Sequence, residues 1–170
     1  MFFRKDKRGF TATELLVGIA IIAIAAALAV PDIIQWGPGH RLKSAARDVV
    51  SNLQRARLEA VKRNTNQVVI RFTTGAYDPA GEVGTYMIFV DDGAGGGVAA
   101  DNIRNGTESI LVQVTMPRHV SMTGANFLGN TWTGFSPSGL PSSQGNVVVQ
   151  NNQADSHNVV LSPAGNIRIQ

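Results

Sequence analysis

Hydrophobic and polar positions divide the chain into three regimes. From Leu15 to Val30 the run LLVGIAIIAIAAALAV carries no charge. With Phe10 to Thr13 before it, the run approaches the roughly 20 residues that span a bilayer. Between Arg41 and Arg63 the pattern becomes periodic: Leu42, Ala45, Ala46, Val49, Leu53, Ala56 and Ala60 recur three and four residues apart, one stripe of an amphipathic helix. Asn64 is its expected stop, and Glu59 with Arg63 is a favourable i,i+4 pair. From Gln67 onward the pattern shortens to β-branched runs, at Val68 to Phe72, Tyr86 to Val90, Ile110 to Met116, Val147 to Gln150, Val159 to Leu161 and Ile167 to Ile169. Turn residues separate them, which predicts an antiparallel sheet packed on the amphipathic helix. The segment Ser162 to Asn166 is expected to fold the last two runs into a C-terminal hairpin.

A chain of 170 residues has room for an anchor and one compact domain. The predicted organisation is residues 1–9 as a leader, 10–30 as a transmembrane helix, 31–66 as an amphipathic helical segment and 67–170 as a β-rich domain. The fold class is α+β, a long N-terminal helix with its amphipathic half against an antiparallel β-rich domain.

Charge changes this picture once it is located. The formal net charge is +3, and Arg4, Lys5, Lys7 and Arg8 against Asp6 supply all of it. The remainder carries 11 basic and 11 acidic side chains, so composition gives no general case for a polyanion partner. By the positive-inside rule the basic cluster orients the apolar run, leaving everything after Pro31 on the outer side of the cytoplasmic membrane. Within the neutral remainder, seven basic residues face two acidic ones between Arg41 and Arg63, whereas residues 72–170 hold three basic and seven acidic side chains. The basic helix can therefore attract the acidic side of its own domain or of a neighbouring subunit, or present a solvated face. There is no cysteine, so a disulfide framework and thiolate metal sites are excluded.

Glu14 is the anomaly in the apolar run. A charged side chain at the centre of a membrane helix costs on the order of 2.5–3.5 kcal/mol, less near an end, so Glu14 calls for a neutralising partner. An ordinary secretory signal with a cut near Ala27-Leu28-Ala29 would release a soluble β domain, but it does not explain this carboxylate.

The stretch RGFTATELLVGIAIIAIAAALAVP resembles the class III leader junction of type IV pilins and type II secretion pseudopilins. The resemblance implies that a prepilin peptidase cuts after Gly9 and methylates the new N-terminal Phe10. Glu14 then falls at the fifth mature position, matching the family's acidic residue, and Pro31 matches its proline at the end of the membrane segment. In an assembled filament Glu14 is expected to pair with the α-amino group at Phe10 of a neighbouring subunit. Such a buried pair fixes register better than it adds stability.

The helix sequence ARDVVSNLQRARLEAVKRN resembles the signature of the GspH/FimT family of minor pseudopilins and minor pilins, with Ala56, Arg57, Glu59, Ala60, Arg63 and Asn64 at matching positions. The resemblance is weakest through the middle of the chain. It implies one helix running from membrane to domain, about 80 Å at 1.5 Å per residue over residues 10–63. Trp36-Gly37-Pro38-Gly39 departs from this. A proline costs about 3 kcal/mol in a helix interior and two glycines add to it, so an interruption is expected near Gly37 to Gly39.

No catalytic constellation emerges, and no enzymatic role is expected. Gly134-Phe135-Ser136-Pro137-Ser138 lacks the final glycine of a nucleophile elbow, and His40, His119 and His157 stand in no motif. The acidic, glycine-rich loop from Asp91 through Asp101 to Glu108 offers oxygen ligands without the alternating spacing of a calcium loop, and reads as a flexible loop. No cofactor or metal is expected. In some FimT relatives a C-terminal Gly-Arg-x-Arg tail binds DNA. Here, in Gly165-Asn166-Ile167-Arg168, Arg168 matches but Asn166 replaces the first arginine, and nucleic acid is not an expected partner.

The resemblance thus implies a minor pseudopilin of the type II secretion system, at or near the tip of its filament, with a minor pilin of a type IV pilus as the alternative. Expected partners are other pseudopilins or pilins, the prepilin peptidase and an inner-membrane assembly platform. The expected location is the inner membrane, single-pass, with the C-terminal domain periplasmic.

Overall fold

One long helix, α1 (Ala12–Arg63), begins at a reciprocal cap. The Thr11 hydroxyl accepts from the Glu14 N–H at 3.2 Å, and the Glu14 carboxylate accepts from the Thr11 N–H at 2.9 Å. Helices start with orphan N–H donors, and this T-x-x-E pair satisfies two groups at the entrance. Asn64 ends the helix as expected, with a left-handed φ of 55° and an N–H that still reaches the Ala60 carbonyl at 3.2 Å.

The computed structural model describes residues 9–64, 67–79 and 82–170, with the backbone alone for 28–36. Residues 1–8 of the leader and the Pro31 side chain therefore lie outside the described portion. The interruption expected near Gly37 to Gly39 does not appear as a gap, since α1 is helical throughout that stretch. Pro38 removes one donor, but its neighbours keep theirs, and a single missing rung is a local cost rather than an end to the ladder. The sequence break instead coincides with an organisational boundary: the chain divides into two compact units, Met1–Gly37 and Pro38–Gln170.

In the first unit the apolar side chains from Leu15 to Ile24 are exposed along the helix. Among the described residues no helix is long and apolar enough to cross a membrane. The far end of the predicted span belongs to the stretch whose side chains are not described.

The second unit is built on the predicted stripe. Leu42, Ala45, Ala46, Val49, Leu53, Ala56 and Ala60 are all at most 2% exposed, so the three-and-four spacing did identify the buried face. Four of the seven are alanines, which let the helix lie close to what it covers. That partner is two four-stranded sheets rather than the single sheet expected. The first has the order β3-β2-β1-β5, from β1 (Gln67–Thr73), β2 (Thr85–Asp91), β3 (Ile110–Thr115) and β5 (Trp132–Phe135). The second has the order β4-β6-β7-β8, from β4 (Val120–Asn126), β6 (Gly145–Asn151), β7 (Ser156–Leu161) and β8 (Ile167–Ile169). All strand pairs in both sheets are antiparallel.

Alternation along the strands sends Val68, Ile70, Phe72, Tyr86, Ile88, Met122, Val147, Val149, Val159 and Leu161 into one core with the helix stripe. Phe72 stacks on Phe127 at 5.4 Å between centroids and meets Tyr86 at 5.8 Å, which joins the first sheet to the β4–β5 turn. The C-terminal hairpin forms as predicted. Ser162 N–H donates to the Asn166 carbonyl at 2.9 Å, and Gly165, at φ 78°, closes the turn onto the Ser162 carbonyl at 2.9 Å.

Candidate functional site

Three places carry the residues singled out in the sequence, and each is set by local chemistry. At the N-terminal junction Gly9 and Phe10 precede the helix, and the Phe10 ring is 91% exposed. Glu14 lies one helical turn further on. Its Oε2 accepts from both the Thr11 N–H and the Thr11 hydroxyl, each at 2.9 Å. Thr11 was not singled out in the sequence, although Ser or Thr three residues before Glu at the start of an apolar run is the signal for such a cap. Every group in this cap belongs to Thr11 or Glu14, so it does not use the Gly9–Phe10 bond.

The second place is the helix segment Ala56 to Asn64, where each motif residue has a physical task. Ala56 and Ala60 are fully buried and set the close approach of helix to core. Arg57 reaches across to the C-terminal hairpin, donating from Nη1 to the Gly165 carbonyl at 3.1 Å. It also lies against Gly139: a Cβ there would sit 3.3 Å from Arg57 Nε. One guanidinium thus packs against two left-handed glycine turns, at φ 76° and 78°. Glu59 pairs with Lys62 at 3.9 Å and with Arg63 at 3.7 Å, as the i,i+4 spacing predicted. Asn64 supplies the left-handed stop.

The third place is the acidic connection between β2 and β3. Its carboxylates are engaged by the loop's own amides. Asp91 accepts from the N–H groups of Ala100 and Asn102, both at 2.7 Å, and Glu108 accepts from Gly93 at 3.0 Å and Asn105 at 2.9 Å. Asp101 accepts from Ile103 N–H at 2.7 Å and from the Asn105 amide at 2.8 Å. Burial pushes the Asp91 carboxyl above the usual range, and Glu108 and Asp101 add to the push, while its two N–H donors oppose it. Among the described residues no group of three or more metal-ligating side chains is assembled.

This loop is also tied to the first sheet, which corrects its reading as a flexible loop. Gln67 and Arg71 point the same way from β1, and both bond to Asn102, at 2.9 and 2.6 Å. Between them Val69 and its cross-strand partner Phe89 are fully buried. The connection therefore covers the outer face of the first sheet, and its carboxylates organise the cover.

Arg168 sits at the middle of β8, opposite Val160 and exposed. Its Nε and Nη2 lie 3.1 and 3.2 Å from Gln170 when that amide turns its oxygen toward them. The histidines do not converge: His40 is on α1, His157 on β7, and His119 Nδ1 lies 3.1 Å from the Pro79 carbonyl. Ser136 shares its hydroxyl with Ser138 at 2.8 Å and donates to the Leu140 carbonyl at 3.1 Å, forming a turn.

Residues 45–165 match the family model described as type II transport protein GspH, and residues 4–30 match the prokaryotic N-terminal methylation motif. The chain is 37% identical over 89 residues to the pilin-like protein PilA1 of Thermus thermophilus, which covers 52% of this chain and 51% of that protein. The match thus spans about half the length of that relative. No solved structure matches.

Proposed function

The chain belongs to the GspH family of type II transport proteins, and from that premise we propose that it is a structural minor pseudopilin of a type II secretion system. It works at or near the tip of the periplasmic filament and assists protein passage across the outer membrane, with no catalysis of its own. The observation that carries this reading is the union in one chain of an N-terminal methylation motif with a GspH domain.

On this reading the prepilin peptidase cuts between Gly9 and Phe10 and methylates Phe10. The apolar half of α1 anchors the subunit in the inner membrane, and the domain from Pro38 onward is periplasmic. Glu14 Oε2 is engaged by Thr11, and Oε1 is left to receive the α-amino group at Phe10 of the next subunit. Neighbouring pseudopilins and an inner-membrane assembly platform are the partners.

A second reading, a minor pilin of a type IV pilus, is favoured by the likeness to a pilin-like protein. Arg168 would be its candidate DNA contact. Deleting the gene separates the two. Secreted proteins retained in the periplasm with surface pili intact support the secretion reading. Intact secretion with loss of pili, motility or DNA uptake replaces it with the pilus reading.

A further inference from the structure

A groove of about 660 Å³ opens on the outer face of the second sheet, between the β4–β5 turn and the β7–β8 turn. Strand register places Asn146, Asn158 and Arg168 on that one face, because Asn146 and Arg168 both stand opposite Val160, and Asn158 opposite Val148. Asn126 and Gln144 complete a lining in which four of the side chains are carboxamides and Arg168 is the only charged group.

The amides are held but not used up. Asn146 Nδ2 donates to Asn158 Oδ1 at 2.9 Å, which leaves Asn146 Oδ1 and Asn158 Nδ2 without a partner among the described residues. Asn126 Oδ1 accepts from the Gly129 N–H at 2.9 Å, leaving its own NH2. The groove thus offers one carboxamide oxygen and two carboxamide NH2 groups to a ligand.

Its wall carries a second observation. Leu128 is 70% exposed and left-handed, at φ 52°, in a turn closed by two backbone bonds between Phe127 and Asn130, at 2.8 and 3.2 Å. Leu128 and Gly129, at φ 52° and 91°, are the two left-handed central residues such a tight hairpin turn requires, and the turn sets the leucine side chain out at the mouth of the groove. Gly145 lets the turn come close, since a Cβ there would collide with the Asn126 carbonyl and with Phe127.

We propose that this groove binds a carboxylated oligosaccharide. Vicinal hydroxyls donate and accept as carboxamides do, the C–H face of a sugar ring matches Leu128, and Arg168, whose Nε and Nη2 face Gln170, keeps Nη1 for a charge-assisted bond to a carboxylate. Nucleic acid fits less well, because polyphosphate affinity grows with the number of cations that displace counterions and the groove holds one. The inference stands apart from the filament reading and holds for either machine.

The full chain in detergent micelles, titrated with trigalacturonate and followed by saturation-transfer NMR, tests it. Maltotriose and an oligo-dT strand serve as comparison probes. Saturable binding of trigalacturonate is expected, with Arg168→Gln weakening it about tenfold, the loss of one charge-assisted contact. Maltotriose should bind more weakly and be unaffected by Arg168→Gln, and Asn158→Ala should weaken both sugars. Circular dichroism and an unchanged thermal midpoint establish that each variant is folded; Leu128→Ser, on an exposed turn, is the replacement if Asn158→Ala is not. No saturation by roughly 10 mM, or equal binding by wild type and both folded variants, overturns the proposal. Preferential binding of oligo-dT that Arg168→Gln abolishes overturns it in favour of nucleic acid.

Discussion

Two buried groups show how single residues tie α1 to the sheets. Asn52 on the helix donates to the Tyr86 hydroxyl at 2.7 Å, and Tyr86 is 2% exposed. Burial pushes its phenol up to about 12, with Asp48 adding to the rise and Asn52 opposing it. The unfolded phenol loses its proton near 10. Stability is therefore intact below pH 10 and falls as pH rises through 10 to 12, by roughly 2–3 kcal/mol at 1.36 kcal/mol per unit. Urea titrations of wild type and Tyr86→Phe across that window should show the extra loss in wild type alone. At Gly165, φ 78° and the guanidinium of Arg57 both oppose a side chain, so Gly165→Ala should cost about 1–2 kcal/mol or more. Gly129→Ala, with the same handedness but open space, is the control, and denaturation midpoints read the difference.

At the scale of elements, the helix stripe was legible because its seven apolar positions each report one local angle, and all seven are buried. Strands β4 and β5 were not legible. VSMTGAN buries a serine beside Val120 and Met122 and contains Gly124, and WTGF is four residues with a buried threonine and Gly134. Neither shows a β-branched run, and each is held by partners far away in the chain. The division into two sheets is equally long-range. The loop between β2 and β3 misled for a different reason: carboxylates that look like cation ligands are also what backbone N–H groups donate to. Among the motif residues, Glu59 and Asn64 could be read from spacing, but the reach of Arg57 to Gly165 crosses 108 positions and could not. At Pro38 the ladder loses one rung without ending. Pro38→Ala should therefore keep the helix and slow amide exchange of the neighbouring turn, and hydrogen-exchange mass spectrometry measures it.

For the molecule as a whole, the proposed maturation makes a definite covalent statement. Membranes from cells with the peptidase should yield a chain beginning at N-methylated Phe10, and intact mass reads the cut and the methyl group together. A chain beginning near Val30 would mean a secretory cut and a released domain. Replacing Gly9 by leucine should leave the full-length chain.

The cap at Thr11 and Glu14 gives that last experiment its meaning. Because the groups that begin the helix all lie downstream of the Gly9–Phe10 bond, folding and processing are separable in time. A precursor that is never cut has its helix entrance already in place, yet it keeps the basic leader and has no amine at Phe10. Uncut chains should accumulate as folded but unincorporated subunits, so a processing block reports on incorporation alone.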